Sequence, residues 1–416
     1  MVDNPEIIEE LFFVVGGDFV FKKYMRKVVM FISEHIRKNK KIWVFGAWAG
    51  KLYGDNSKYL FEYVNEQKKE ITAIWITKEK SIVEQVRKEG YRCYLSSSIR
   101  GCYYCLIAKV AFITSDTSDI SSVLSTKSEI IQLWHGMGMK AVGRLSGWGK
   151  NSKLKLTEFT EPEDIYRKFG QWRWMCASEE AKKKYSVSFM VPEDKFVITG
   201  EPKNDAFINY KQNDFISRIR QKKPGVKVAV YLPTHRNFGV NNEISEMVSV
   251  ESLRKLDDML DKKNITLIFK PHFHEFDKYK GYESSFSNIV FATEKKVFGD
   301  VYAFLPVCDI LITDYSGIMF GYLASGKPII YFPYDYESYT TSDAGFYYDY
   351  EDVLYGPICM NWEDVVEKMS SITSIQYEEE REKQRKRFCP YYDGLSCERV
   401  YNETIKILEE TNESKR

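Results

Sequence analysis

The sequence has almost no net charge. Sixty lysines and arginines stand against 59 aspartates and glutamates, leaving +1 at pH 7 over 416 residues. That excludes a general electrostatic field for nucleic acid, so any anion site has to be built locally. No window approaches the roughly 18 consecutive apolar residues of a membrane span, and no secretory signal is recognised at the start of the chain. The eight cysteines (93, 102, 105, 176, 308, 359, 389 and 397) are scattered, which leads us to expect reduced thiols in a cytoplasmic protein. Cys102 and Cys105 have CxxC spacing. No second pair or histidine cluster accompanies them, and the strand-like run Leu106 to Thr114 follows directly, so neither a metal site nor a cofactor is expected there. Neither a GxGxxG fingerprint nor a Walker lysine occurs.

What is present suits burial: 44% of residues are hydrophobic and 15% aromatic. The length fits two domains meeting at a cleft. From Lys41 onward, short apolar runs alternate with amphipathic stretches, beginning with Ile42 to Phe45, Lys58 to Lys68, Thr72 to Thr77 and Ser81 to Glu89. This is the βαβ pattern of a parallel sheet covered by helices. Further strands are predicted at Val110 to Thr114, Glu129 to Leu133 and Lys195 to Thr199. A second series follows at Lys227 to Leu232, Thr266 to Lys270, Ile289 to Phe291, Asp309 to Thr313 and Pro328 to Phe332. The expected fold is α/β, with two Rossmann-like domains, residues 1–208 and 209–375. The polar stretch 209–225, ending in Pro-Gly, marks the change. Residues 376–416 read as a charged helical segment with the option of packing back on the first domain. Residues 18–41 form a basic amphipathic helix, which suits either an anionic lipid surface or simple packing of one face on the first domain.

In open parallel sheets, ligands sit beyond the carboxyl ends of strands, which gives polar residues there most weight. Four segments qualify. In Gln132 to Lys140 (QLWHGMGMK), His135 is flanked by Gly136, so its ring can approach a substrate hydroxyl and take a proton near neutral pH; taken alone, the segment is read more readily as a structural histidine capping a turn. In Tyr231 to Arg236 (YLPTHR), the guanidinium of Arg236 matches phosphate oxygens. In Phe269 to Glu275 (FKPHFHE), Lys270 and His272 suit a cationic phosphate site better than a metal, because His272, His274 and Glu275 alone make a poor coordination shell. Finally, Leu311 to Pro328 (LITDYSGIMFGYLASGKP) runs from a strand through Asp314, Ser316 and Gly317 into a helix. The amino end of that helix and the Ser316 hydroxyl offer donors to a diphosphate, although a plain N-cap would look the same.

Taken in order, WHGMGMK, LPTHR, KPHFH and ITDYSGIMFGYLASGKPIIYFPYD resemble the CDP-glycerol glycerophosphotransferase family of teichoic acid and capsule synthesis. Asp55 to Leu60, Thr199 to Asp205 and Tyr392-Asp393-Gly394 agree with it, so the resemblance spans roughly residues 40 to 400. It implies a GT-B fold, a CDP-linked polyol donor such as CDP-glycerol, no metal ion, and transfer of the polyol phosphate to a hydroxyl on a lipid-linked saccharide at the inner face of the membrane, with release of CMP. His135 would be the general base, with Gly136 and Lys140 on the acceptor side. His272 would be the second catalytic residue, holding the diphosphate with Arg236, and Lys270, Asp314, Ser316, Gly317 and Lys327 would also serve the donor. The length is nearer to the single-module primases than to long polymerases. A glycerol- or ribitol-phosphate polymerase, a GT-B sugar-nucleotide transferase and a non-catalytic scaffold are the alternatives. The chain departs from the family pattern at Met137 to Met139, where Thr-Pro-Leu is frequent, at Gly317, where serine often stands, at Gly321, commonly Asp, and at Lys203, usually Arg.

Overall fold

The structure is a computed structural model that describes residues 28–145, 170, 172–234, 246–271, 279, 281–282, 285–293, 299–342 and 345–413. Arg236, His272, His274, Glu275 and the 18–27 part of the basic segment lie outside the described residues.

Seven strands make the first sheet: β1 (Asn39–Phe45), β2 (Thr72–Thr77), β3 (Cys93–Leu95), β4 (Ala108–Ile113), β5 (Glu129–Gln132), β6 (Arg173–Cys176) and β7 (Phe196–Ile198). They are all parallel and lie in the order β3-β2-β1-β4-β5-β6-β7. Five form the second: β8 (Lys227–Leu232), β9 (Ile265–Phe269), β10 (Ile289–Phe291), β11 (Ile310–Thr313) and β12 (Ile329–Tyr331). These too are parallel, in the order β10-β9-β8-β11-β12. Helices on both faces explain why the strands are apolar without alternation: every residue of β9 is buried, as are the last four of β1. In each sheet the strand order reverses once, between β1 and β4 and between β8 and β11. Crevices open at such reversals because the connections leave in opposite directions.

The sequence pattern gives neither β3 nor β6. Both are short, three and four residues, and Arg173-Trp174-Met175-Cys176 has too little context to show a period. The run after the CxxC pair also differs from expectation. Leu106 and Ile107 belong to the helix Ile99–Ile107, which carries both cysteines, and the strand starts at Ala108. All eight cysteines are unpaired. Burial pushes the Cys102 thiol up to about 11, which makes it a poor nucleophile or ligand near neutral pH.

In the described part of the basic segment, residues 28–35 are helical, but the expected helix does not reach Lys41: Asn39, Lys40 and Lys41 open β1, and the Lys38 ammonium is turned inward to the Leu106 carbonyl at 2.7 Å. Buried Ser33 donates to the Leu124 carbonyl at 2.7 Å and accepts from Thr126 at 3.0 Å, while Phe31 is exposed. No described helix is long and apolar enough to cross a membrane. The helix Ser396–Glu413 places Val400, Tyr401, Ile407 and Leu408 in the same core as Trp43, Phe45 and Phe61 of the first sheet and its covering helix. Its amino end is fixed by Asp205, which accepts from the amides of Ser396 and Cys397 at 2.9 and 2.8 Å. These amides belong to the orphan donors of a helix start.

Candidate active site

His135 follows β5 by three residues, next to the reversal point of the first sheet. Its Nδ1 lies 3.0 Å from the Thr114 carbonyl oxygen. A carbonyl only accepts, so Nδ1 carries the proton and Nε2 keeps its lone pair. The ring packs between Trp134 at 4.2 Å and Trp48 at 4.9 Å between centroids. Protein atoms crowd round it, and that burial holds its pKa below the ordinary value, although the Asp55 carboxylate and the Thr114 carbonyl oppose the shift.

Three buried polar groups hold the loops in place. Asp119 accepts from the amides of Ala49, Thr114 and Ser115 at 2.6, 2.8 and 2.9 Å and from the Ser115 hydroxyl at 2.5 Å. One carboxylate thereby joins the loops after β1 and β4 across the crevice. Asn56 donates to the carbonyls of Leu133 and Trp134 at 3.1 and 3.0 Å. Lys203 donates to the His135 carbonyl at 2.7 Å and pairs with Asp55 at 3.0 Å. Burial alone would lower the Lys203 ammonium, but Asp55, with Tyr302 and Glu201, outweighs it and holds the group charged. Burial alone would raise Asp55; Lys203 first, then His135 and the Trp48 indole, keep it below the usual carboxylate range. Trp48, Ala49, Asp55 and Trp134 all have left-handed backbones, with φ of 49°, 54°, 60° and 51°. Such conformations cost about 1–3 kcal/mol each and persist only where surrounding bonds over-determine them.

In the second sheet, three of the four motifs end on adjacent strands. The Lys270 amide donates to the Tyr231 carbonyl at 3.0 Å, aligning the ends of β9 and β8. At the reversal between β8 and β11, Asp314 accepts from the Thr234 amide at 2.9 Å and its hydroxyl at 2.6 Å, and from the Tyr315 amide at 2.6 Å. A carboxylate so occupied, and fully buried, ties the two loops together and would repel a diphosphate. Asp314 thus joins the loops that follow β8 and β11. Ser316 and Gly317 open a helix of only five residues, Ile318–Tyr322, continued by a 3₁₀ turn, Leu323–Ser325. Lys270 is partly buried, and burial lowers its pKa against the opposing pull of Asp300.

Lys327 is not brought to this group. It precedes β12, at the amino end of the strand, and its Nζ donates to the carbonyls of Pro306 and Cys308 at 2.5 and 2.7 Å. The Gly-Lys-Pro pattern placed it after a helix, but the strand direction turns it toward the edge opposite the ligand crevice. Lys140 lies 5.1 Å from the Tyr339 ring centroid and pairs with Phe346 in an antiparallel bridge. It thus sits where the two halves touch.

That contact is close. The Ala141 amide donates to Gly345 at 3.0 Å and the Tyr347 amide to Met139 at 2.7 Å. Gly317 faces the Met137 carbonyl and Gly138, and a Cβ on it would collide with that backbone. A Cβ on Gly321 would stand 2.8 Å from both Asn204 Oδ1 and Tyr302 OH. The departures at Met137, Gly317 and Gly321 therefore have steric partners: the loop beyond His135 and the Asn204 side chain occupy the room that larger residues would need. Lys58, in the helix Asp55–Gln67, and Asp300 form a further cross-link at 2.7 Å, joined by the Tyr59 hydroxyl at 2.9 Å.

Two parallel sheets, each with one reversal of strand order and joined by contacts between the loop beyond His135 and the Gly317 turn, make up a GT-B fold. Residues 28–406 match the model of the CDP-glycerol:poly(glycerophosphate) glycerophosphotransferases, and the chain belongs to that family. It is 26% identical over 382 residues to a teichoic acid glycerol-phosphate transferase of Staphylococcus aureus, covering 88% of this chain and 94% of that protein. It is 24% identical over 317 residues to a teichoic acid glycerol-phosphate primase of Bacillus subtilis, covering 73% and 75%. The fold is similar to that of the wall teichoic acid polymerase TagF, with a TM-score of 0.74 and 20% identity over 93% of both chains. The chain is thus an enzyme, a glycerophosphotransferase of teichoic acid synthesis.

Sequence reasoning assigned no role to Trp48, Asp119 or Lys184, and it treated Lys203 only as a substitute for arginine. A signal for Trp48 existed: Gly46-Ala47-Trp48-Ala49-Gly50 places an aromatic between glycines directly after a strand, the position at which ligands are met.

Proposed function

We propose that the chain transfers glycerol phosphate from CDP-glycerol to a hydroxyl of a lipid-linked saccharide, adding a single unit as a primase does. The observation that carries this reading is the imidazole of His135 with its Nδ1 proton committed to Thr114, beside a loop that touches the Ser316-Gly317 turn. Nε2 takes the proton of the acceptor hydroxyl, whose oxygen attacks the phosphorus bearing glycerol. The bond from that phosphorus to the bridging oxygen breaks, and CMP leaves with the electron pair. Lys270, Ser316 and Gly317, with Arg236 and His272, hold the diphosphate and offset the charge that develops on the leaving oxygen. Those cations do the work a metal ion would otherwise do, and activity is expected to survive chelation. The part of the basic 18–41 segment that precedes β1 rests against the inner membrane face, where the acceptor lipid is found.

The test is product analysis. Purified protein is given CDP-glycerol or CDP-ribitol with a disaccharide on a short-chain diphosphate lipid, with and without EDTA. One added glycerol phosphate and stoichiometric CMP are expected; a ladder of products, or use of CDP-ribitol alone, would replace this reading with a polymerase.

A further inference from the structure

Trp48 is 43% exposed, although the four buried residues at the end of β1 and the Gly46-Ala47 pair lead directly into it. Its backbone is left-handed, as is that of Ala49 beside it. The loop is pinned from below: the Ala49 amide is held by Asp119, and the Trp48 amide donates to the Thr114 hydroxyl at 3.3 Å. The indole Nε1 donates to Asp55 Oδ2 at 2.9 Å, and Asp55 is itself fixed by Lys203. The ring is therefore held at its backbone and at its only polar atom, 4.9 Å from His135 between centroids, and stays part-exposed there. Strain and exposure of a large apolar ring both act against folding, and here they coincide next to the proposed base.

We propose that Trp48 is the platform on which a pyranose ring of the acceptor stacks while its hydroxyl reaches His135 Nε2. This rests on the transfer reaction proposed above and names the acceptor class. The apolar C–H face of a sugar ring complements the electron-rich face of an indole, and its hydroxyls stay at the edge, free to bond or react. An oligo(glycerol phosphate) acceptor has no such face. Its phosphates are repelled by the negative face of the ring.

The experiment compares two acceptors, the disaccharide on a short-chain diphosphate lipid and a free oligo(glycerol phosphate), across Trp48→Ala, Trp48→Leu and Trp48→Phe. KM for the disaccharide is expected to rise about tenfold in the alanine and leucine variants, in line with losses on removing a stacking ring. It returns to within about threefold of the parent in Trp48→Phe, which keeps a ring. The ratio of the two acceptors' KM values shifts accordingly. Equal shifts for both acceptors, or a leucine variant matching the parent, would overturn the proposal. Calorimetric binding of the disaccharide without donor separates this from the reaction itself. Trp48-dependent binding in a chain that releases no CMP would refute the reaction and support the platform; CMP release with undiminished binding in Trp48→Leu would refute the platform.

Discussion

The carbonyl of Met137 fills the space that a side chain on Gly317 would require. The two residues lie in loops that follow opposite sheets, so this contact sets how closely the loop beyond His135 and the turn at Ser316 approach. Gly317→Ser is expected to force them apart, costing about 1–3 kcal/mol of stability together with transfer activity. Gly138→Ala meets no atom within 4 Å and should be tolerated. Melting temperature and kcat/KM for the pair of variants check this.

His135→Asn keeps a polar side chain but removes the base. A fall in kcat of about 10²–10⁴ is expected, with little change in melting temperature. Burial holds the imidazole below its ordinary value, so the parent enzyme loses its base only as pH falls through that lowered value. The acid limb of kcat/KM should lie below pH 6.5, the ordinary value of a histidine side chain. A limb above it would contradict the assignment.

Lys184 is 1% exposed, donates to the Gly138 carbonyl, and lies 5.0 and 5.3 Å from the ring centroids of Tyr347 and Tyr348. Burial lowers it to about 7 from an ordinary value of 10.5. Between those values the unfolded chain binds more protons than the folded one, so this residue makes stability rise with pH across that window. Lys184→Met should remove this contribution, which the difference in denaturant midpoint between parent and variant at pH 7 and pH 9 will report.

Asp55 and Lys203 are a buried pair, and removing one partner strands the other. Lys203→Met should cost about 3–5 kcal/mol, and adding Asp55→Asn should recover part of that loss. A double-mutant cycle by urea unfolding measures the coupling; additive losses would show that the two do not act as a pair.

Lys327→Met should lower the melting temperature by freeing the Pro306 and Cys308 carbonyls of their donor, while KM for CDP-glycerol stays where it was. A donor KM raised tenfold or more would return Lys327 to the diphosphate site.

Much of the architecture was legible because parallel strands covered on both faces write themselves as apolar runs. Thr72–Thr77, Lys227–Leu232 and Ile289–Phe291 were read to the residue. Motif order then pointed to the strand ends. What the pattern hid depends on strand direction and on long-range pairing. Lys327 looked like part of a loop signature, yet it stands at the amino edge. Asp314 looked like a ligand contact, yet its acceptor capacity is taken up by Thr234 and Tyr315. The Asp55 and Lys203 pair is separated by 148 positions, and no local period connects such residues. The left-handed backbone at Trp48 and Trp134 leaves no trace in composition, because neither is glycine.

The helix Ser396–Glu413 has a consequence for how the protein is made. Its Val400, Tyr401, Ile407 and Leu408 complete the core around Trp43 and Phe61, residues translated some three hundred and fifty positions earlier. One face of the second sheet gathers its core from within residues 229–372, all of it translated before the final helix that the first sheet needs as a wall. During synthesis the half that emerges first from the ribosome is therefore the half that finishes last, and its open apolar face is exposed to chaperones until the final helix arrives.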